Sequence, residues 1–297
     1  VAFCGYHGWH AWYLSANLGD SHHLAGHLLP GLNPAGVPKQ LLESVIPFTY
    51  NNYDELLSVV NTHDIGVIKM EVSRNMEPRN GFLQKVRALA TKRNIVLIFD
   101  ECTSGFRQTY GGLHKLHGVN PDMALFGKAL GNGYAITAVI GKREVMEAAQ
   151  KTFISSTFWT ERIGPTAALA TLDVMGKEKS WETITETGRS IKQRWQELAD
   201  IHSLEISQWG LPALAGFSFV SENNLAYKTY ITQELLAKGY LAGNSIYVST
   251  AHTQEILNDY FSNLECLFLT IREFEDGRDV YAELKGPICH DGFKRLN

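Results

Sequence analysis

Two stretches decide how this chain is read. One is Ile95-Val96-Leu97-Ile98-Phe99-Asp100-Glu101. The other is Met123-Ala124-Leu125-Phe126-Gly127-Lys128, which runs on into Ala129-Leu130-Gly131-Asn132-Gly133. Each is a short apolar run ending in charge, the pattern of a buried parallel strand that delivers a polar group to the carboxyl edge of a sheet. Ligands of open α/β sheets bind along that edge. A lysine there is able to form an imine with an aldehyde, and a carboxylate there is able to hold a pyridine nitrogen protonated. Asp100 and Lys128 together therefore suggest pyridoxal phosphate chemistry.

Working outward, the same alternation extends to both sides. Residues 65–72 read as a strand, 81–93 as an amphipathic helix, and 135–141 as a further strand after the lysine. Strand–helix alternation of this kind implies an α/β domain with a mainly parallel sheet. Residues 1–64 read as loop-rich, with Gly, Pro, His and Asn throughout, as in Pro30-Gly31-Leu32-Asn33-Pro34. From Gly164 to about Ala199 the pattern is helical. Beyond Ser203 it reads strand (214–220), helix (227–238), short strand (246–249) and two final helices. This second region is expected to be a smaller α+β domain.

Bulk properties narrow the function. The chain has 297 residues and a formal net charge of −4, so no basic field attracts nucleic acid or anionic lipid. No apolar run reaches the roughly 18 residues that suggest a membrane span. The start lacks a basic region and a cleavage site. Cys4, Cys102, Cys266 and Cys289 form no CxxC pair, a usage that fits reduced thiols and a cytoplasmic location. Val1 is not methionine and runs at once into a motif, so the chain is expected to be N-terminally truncated.

The same residues admit other readings. A lysine before a glycine-rich turn could be an exposed surface residue or part of a phosphate loop. The phosphate-loop pattern fails, because Asp122 stands at its first glycine and Ala129 at its Ser/Thr. A dinucleotide fingerprint fails as well, since Ile136 stands at its third glycine. The apolar approach favours a buried lysine, whose amine would lose its proton more readily. Asp100 alone could be a metal ligand or a helix cap. His22, His23 and His27 include an i, i+4 pair, but without an acidic or cysteine partner they read as a solvated loop.

Three ordered motifs carry a resemblance. They are Gly5-Tyr6-His7-Gly8-Trp9, Asp100-Glu101-Cys102-Thr103-Ser104-Gly105-Phe106-Arg107 and Gly127-Lys128-Ala129-Leu130-Gly131-Asn132-Gly133-Tyr134. They resemble class III aminotransferases of fold type I, within the branch of glutamate-1-semialdehyde aminomutase that includes many sugar-pathway aminotransferases. The 28-residue step from Asp100 to Lys128 suits that family. The resemblance implies a partial large domain binding pyridoxal 5′-phosphate over residues 1–185 and a C-terminal small domain over 186–297. It implies that Lys128 forms the imine, that Asp100 pairs with the pyridine nitrogen, and that Tyr6 and Cys102 cover the two ring faces. His7 would orient the cofactor site.

Ser155-Ser156-Thr157-Phe158-Trp159 resembles the segment whose threonine reaches the cofactor phosphate of a neighbouring subunit. Thr157 would then imply a homodimer with shared sites, unless it only caps the helix near Gly164. Glu71 and Glu77 follow the strand at Ile65 but stay outside the expected site. Two departures qualify the picture. The family's phosphate-cradling loop lies upstream of the first motif, and near 239–253 the aminomutase glutamate is missing. The expected function is transfer of an amino group from a donor amino acid to a keto-sugar or small carbonyl acceptor. The alternatives are a 2,1-aminomutase and a non-catalytic fragment, with a carboxylate metal hydrolase further off.

Overall fold

The first strand, β1, is only Ala2–Cys4, yet all three residues are buried. It lies inside a sheet, paired in parallel with β2 (Ile46–Pro47) on one side and β3 (Val67–Glu71) on the other. The computed structural model describes residues 1–8, 10–73, 75–155 and 157–291. Trp9 of the first motif and Ser156 lie outside the described residues. Two compact units are present, Val1–Lys179 and Ser180–Asp291.

The sheet of the first unit continues through β4 (Val96–Asp100), β5 (Met123–Phe126) and β6 (Ala138–Gly141), in the order β2-β1-β3-β4-β5-β6. All pairings are parallel except β5–β6. That exception follows from chain length: residues 127–137 are fewer than the dozen or so that a parallel crossover needs, so the strand must turn back on its neighbour. Lys128 stands at the start of this tight connection. The mixed α/β class with a mainly parallel sheet is the one expected.

The loop-rich reading of residues 1–64 is corrected. Besides β1 and β2, this region holds the single turn α1 (Ala11–Leu14) and the ten-residue helix α2 (Tyr53–Thr62). Strands of two and three residues show no alternation, and only their pairing defines them. Phe3 of β1 packs with Tyr13, Ala16, Leu24, Leu32 and Val45, which folds the Gly/Pro-rich segment against the sheet. The start of α2 is built from local chemistry. Asn52 accepts a hydrogen bond from the Glu55 N–H (3.1 Å), and Glu55 in turn accepts one from the Thr49 N–H (2.9 Å). Helix α3 (Phe82–Lys92) buries Phe82, Leu83, Val86, Leu89 and Ala90, the one-sided stripe expected of an amphipathic helix. A single turn, α4 (Arg143–Met146), follows β6.

The helical stretch expected over 164–199 is two helices, α5 (Ile163–Glu178) and α6 (Ser180–Ile201). The break is at Lys179, whose φ of 50° is left-handed and ends the hydrogen-bond ladder. The second unit packs α6, α7 (Asn224–Ala237) and α8 (Gln254–Glu275) on an antiparallel sheet of β7 (Ile206–Trp209), β8 (Leu214–Phe219) and β9 (Ser245–Tyr247). Trp195, Phe217 and Phe268 meet at its centre, with ring separations of 4.8 and 5.8 Å. The two expected C-terminal helices are one 22-residue helix, α8, followed by a single 3₁₀ turn at Tyr281–Glu283. Among the described residues no helix is long and apolar enough to cross a membrane.

Gly188 is where α6 meets the chain entering β8. A Cβ there would stand 1.9 Å from the Pro212 carbonyl oxygen, whereas one on Gly176 of α5 would meet nothing closer than 3.7 Å. Gly188→Ala is therefore expected to lower unfolding stability by about 1–3 kcal/mol through overpacking. Gly176→Ala should be neutral or slightly stabilising. Urea titration of both variants checks this, and equal midpoints would contradict it.

Candidate functional site

Three parallel strands bring the site together. In the β3–β4 register Glu71 pairs with Asp100, and in the β4–β5 register Asp100 pairs with Leu125, so all three strands end at one level. Their ends border a cleft of about 390 Å³ lined by, among others, Tyr6, His7, Trp12, Lys69, Asp100, Cys102, Thr103 and Lys128. The cleft thus contains five of the six side chains singled out from sequence: Tyr6, His7, Asp100, Cys102 and Lys128. Thr157 is exposed and is not part of this lining.

Lys128 differs from expectation in one respect. It is exposed rather than buried, because it lies just past β5 with a left-handed φ of 46° in the turn to β6. Its Nζ donates to Thr103 Oγ1 at 3.0 Å. Left-handed backbone at a non-glycine residue is uncommon and strained. Here it directs the side chain into the cleft instead of along the strand.

Asp100 is held by three polar partners. Its Oδ2 lies 3.0 Å from His7 Nδ1 and 3.3 Å from Lys69 Nζ, and its Oδ1 accepts the Cys102 N–H at 3.2 Å. Burial acts to raise the carboxyl's pKa. The His7 hydrogen bond, the Lys69 and His7 charges and the Cys102 N–H outweigh it and hold Asp100 well below the usual carboxylate range. His7 is buried, and its Nε2 faces the Cys4 carbonyl at 3.1 Å. Both of its partners are acceptors, so both bonds form together only when both ring nitrogens carry hydrogen. Burial, helped by the Asp100 charge, pushes the Cys102 thiol up to about 11.

The approach to His7 depends on Gly5. Its φ is +101°, and a Cβ there would lie 2.4 Å from Glu71 Oε2. The turn lets the Tyr6 N–H donate to that carboxylate at 3.1 Å while His7 reaches Asp100. His27 is corrected from a solvated loop residue. It is partly buried, its Nδ1 accepts the Gly5 N–H at 3.2 Å, and burial lowers its pKa. Glu101 is fully buried and ties down the loop after β4, accepting from Ser104, the Leu113 and His114 N–H groups and the His114 ring.

Two contributors escaped the sequence reading. Glu71, outside the site expected from sequence, holds the Tyr6 backbone. Lys69 was not singled out at all. Its signal was present, because a lysine inside the otherwise apolar run Val67-Ile68-Lys69-Met70 is out of place in a covered strand.

The arrangement suits a pyridoxal phosphate cofactor on the observation that a buried carboxylate and a primary amine line one cleft between aromatic and thiol side chains. Comparison with known proteins agrees. The class-III aminotransferase family profile matches residues 75–256. The chain is 32% identical to the 3-aminobutyryl-CoA aminotransferase of Cloacimonas acidaminovorans over 78% of its length and 54% of the relative's. It is 30% identical to the glutamate-1-semialdehyde 2,1-aminomutase of Natranaerobius thermophilus, over 74% and 56%. It spans about half the length of these curated relatives. Among solved structures, the Sphingopyxis sp. MTA144 FumI protein in its PLP internal aldimine form superposes with a TM-score of 0.81 at 20% identity, covering 95% of this chain and 67% of that one. An omega-transaminase from Sphaerobacter thermophilus gives 0.75 at 20% identity, over 92% and 68%. Both likenesses show the fold.

Asp100→Asn removes the charge that His7 and Lys69 face. At neutral pH it should cost about 1–3 kcal/mol of stability. A depressed native carboxyl contributes above its unfolded pKa of about 3.9 and loses that contribution as pH falls toward the native value. The gap between wild type and variant should therefore narrow below about pH 4. Denaturant midpoints at pH 7 and pH 3 read it, and a gap that does not change with pH goes against this account.

Proposed function

This chain belongs to the class-III aminotransferases, and from that premise we propose that it transfers an amino group from a donor amino acid to a carbonyl acceptor, with pyridoxal 5′-phosphate held in the cleft at the ends of β3, β4 and β5. One observation carries the reading: Lys128 and Asp100 line the same cleft, delivered by adjacent parallel strands. When bound, the cofactor supplies an aldehyde that takes up the amine and a ring that withdraws electrons from the reacting carbon.

The chain's own residues do the rest. Asp100 would hold the ring nitrogen's proton, and Tyr6 and Cys102, which line the same cleft, would cover the ring. Cys102, kept as a thiol at neutral pH by burial, packs without adding charge. Lys128 anchors the cofactor through Nζ. Freed from the anchor, the Lys128 amine would take the donor's α-proton and return it on the cofactor side, and with the acceptor it would run the same shuttle in reverse, ending at the acceptor's carbonyl carbon. Thr103 Oγ1, 3.0 Å from Nζ, gives the amine a resting partner beside the reacting centre. Thr157, exposed on a separate segment, serves the cofactor phosphate of a second subunit in a homodimer. The acceptor is a keto-sugar or a smaller carbonyl compound.

A second reading, the 2,1-aminomutase, is favoured by the 30% identity to such an enzyme. It moves the amine within one substrate and releases no keto acid from a donor. Lys128→Ala should reduce amino transfer at least ~1,000-fold, the scale of a lost acid–base group. Keto acid released per amine transferred, measured in wild type and variant, decides the matter. Turnover surviving in the variant contradicts the role of Lys128, and turnover without keto acid release points to the aminomutase.

A further inference from the structure

Lys69 has no place in the transfer chemistry above, yet it lies inside the cleft. It stands on β3 opposite Ile98, two residues before Glu71, which pairs with Asp100. Residues two apart on a strand share a face, so Lys69 and Asp100 lie on the same side of the sheet. The lysine's stem runs toward the carboxyl edge and brings Nζ to 3.3 Å from Asp100 Oδ2 and 5.1 Å from the centre of the Trp12 ring. Only 14% of the Lys69 side chain and 10% of that of Asp100 are exposed, so water screens the pair poorly. An ammonium this far inside a sheet would ordinarily be costly, and the carboxylate it contacts is the group assigned to the cofactor's ring nitrogen.

Oxygen occupancy makes the contact consequential. A carboxylate has about four acceptor positions. On Asp100, His7 and Lys69 share Oδ2, and the Cys102 N–H takes one position on Oδ1. Three nitrogen donors thus already hold Asp100, and a ring N–H has to share with them a carboxylate whose remaining acceptor position is on Oδ1. Among the described residues, the charged and titratable groups around it are Tyr6, His7 and His10 after β1, Lys69 and Glu71 on β3, Cys102 after β4 and Lys128 after β5.

Resting on the proposed function, we propose that Lys69 is a positioning residue that fixes Asp100 and weakens its hold on the cofactor's ring proton, tempering the electron-withdrawing power of the ring. The direction follows from charge. A fixed cation beside the ring disfavours a second one and takes part of the carboxylate's negative charge, so the ring nitrogen gives up its proton at lower pH than Asp100 alone would impose. A ring tempered in this way still supports proton exchange at the reacting carbon but stabilises carbanion charge less.

The test uses Lys69→Met, which keeps the side chain's length without its charge, and Lys69→Arg, which keeps the charge. Nitrogen-15 NMR of each protein loaded with ring-labelled pyridoxal phosphate follows the ring proton against pH. Carbon-13 NMR of the Asp100 carboxyl in the unloaded proteins follows the pair itself and needs no cofactor. The expected result is a ring-proton midpoint about one pH unit higher in Lys69→Met, a tenfold change in proton affinity. The Asp100 midpoint should rise in the same variant, and Lys69→Arg should stay close to wild type. An unmoved Asp100 midpoint overturns the pair. A ring nitrogen that titrates alike, or stays protonated alike, in wild type and Lys69→Met overturns the tempering role. Failure of the wild-type protein to take up the cofactor at Lys128 overturns the functional reading beneath it, an outcome separable from the other two.

Discussion

The parallel pairing of β4 with β5 is the constraint on which the site depends. Ile98, Phe99 and Asp100 stand opposite Met123, Ala124 and Leu125, so Asp100 closes one strand where the next is about to release Lys128. The register is locked from below. Asp122 accepts the Leu97 N–H at 2.8 Å and also binds Arg87 of α3 and Lys142 before α4, each at 2.8 Å. A slip of one residue would turn Asp100 to the opposite face and separate it from both His7 and Lys69. The short return to β6 then forces Lys128 into a left-handed turn at the rim of the cleft.

Above that frame the site is an electrostatic cluster rather than a single ion pair. Asp100 is low-lying because three elements converge on it: the turn after β1 brings His7, β3 brings Lys69, and the chain leaving β4 folds the Cys102 N–H back. Burial opposes this and is overcome. Gly5 is the small residue on which the convergence rests, since its positive φ and the nearness of Glu71 leave no space for a side chain. A carboxylate arranged in this way stays ionised near neutral pH, as a partner for a protonated ring must.

Much of this was legible in the sequence, and the omissions have physical reasons. The apolar runs before Asp100 and Lys128 marked β4 and β5, because strands covered on both faces read as uninterrupted hydrophobic stretches. The stripe over residues 82–90 marked α3 in the same way. β1 and β2 were invisible, since strands of three and two residues carry no periodicity and are defined by their partners. The break at Lys179 carried no glycine signal, being a left-handed lysine. Lys128 was read as buried from the run before it, but a strand's burial ends with the strand, and the turn beyond it faces solvent. Lys69 and Glu71 gained meaning only when the β3–β4 register placed them beside Asp100 and the Tyr6 N–H.

The central claim is that Lys128 carries the cofactor in the cleft that Asp100 floors. Borohydride reduction of the protein from its native source, followed by peptide mass spectrometry, tests it most directly. The account predicts one pyridoxyl-modified peptide, with the adduct on Lys128. An adduct on Lys69 or another lysine, or a protein that retains no cofactor and shows Lys128 unmodified, would contradict it.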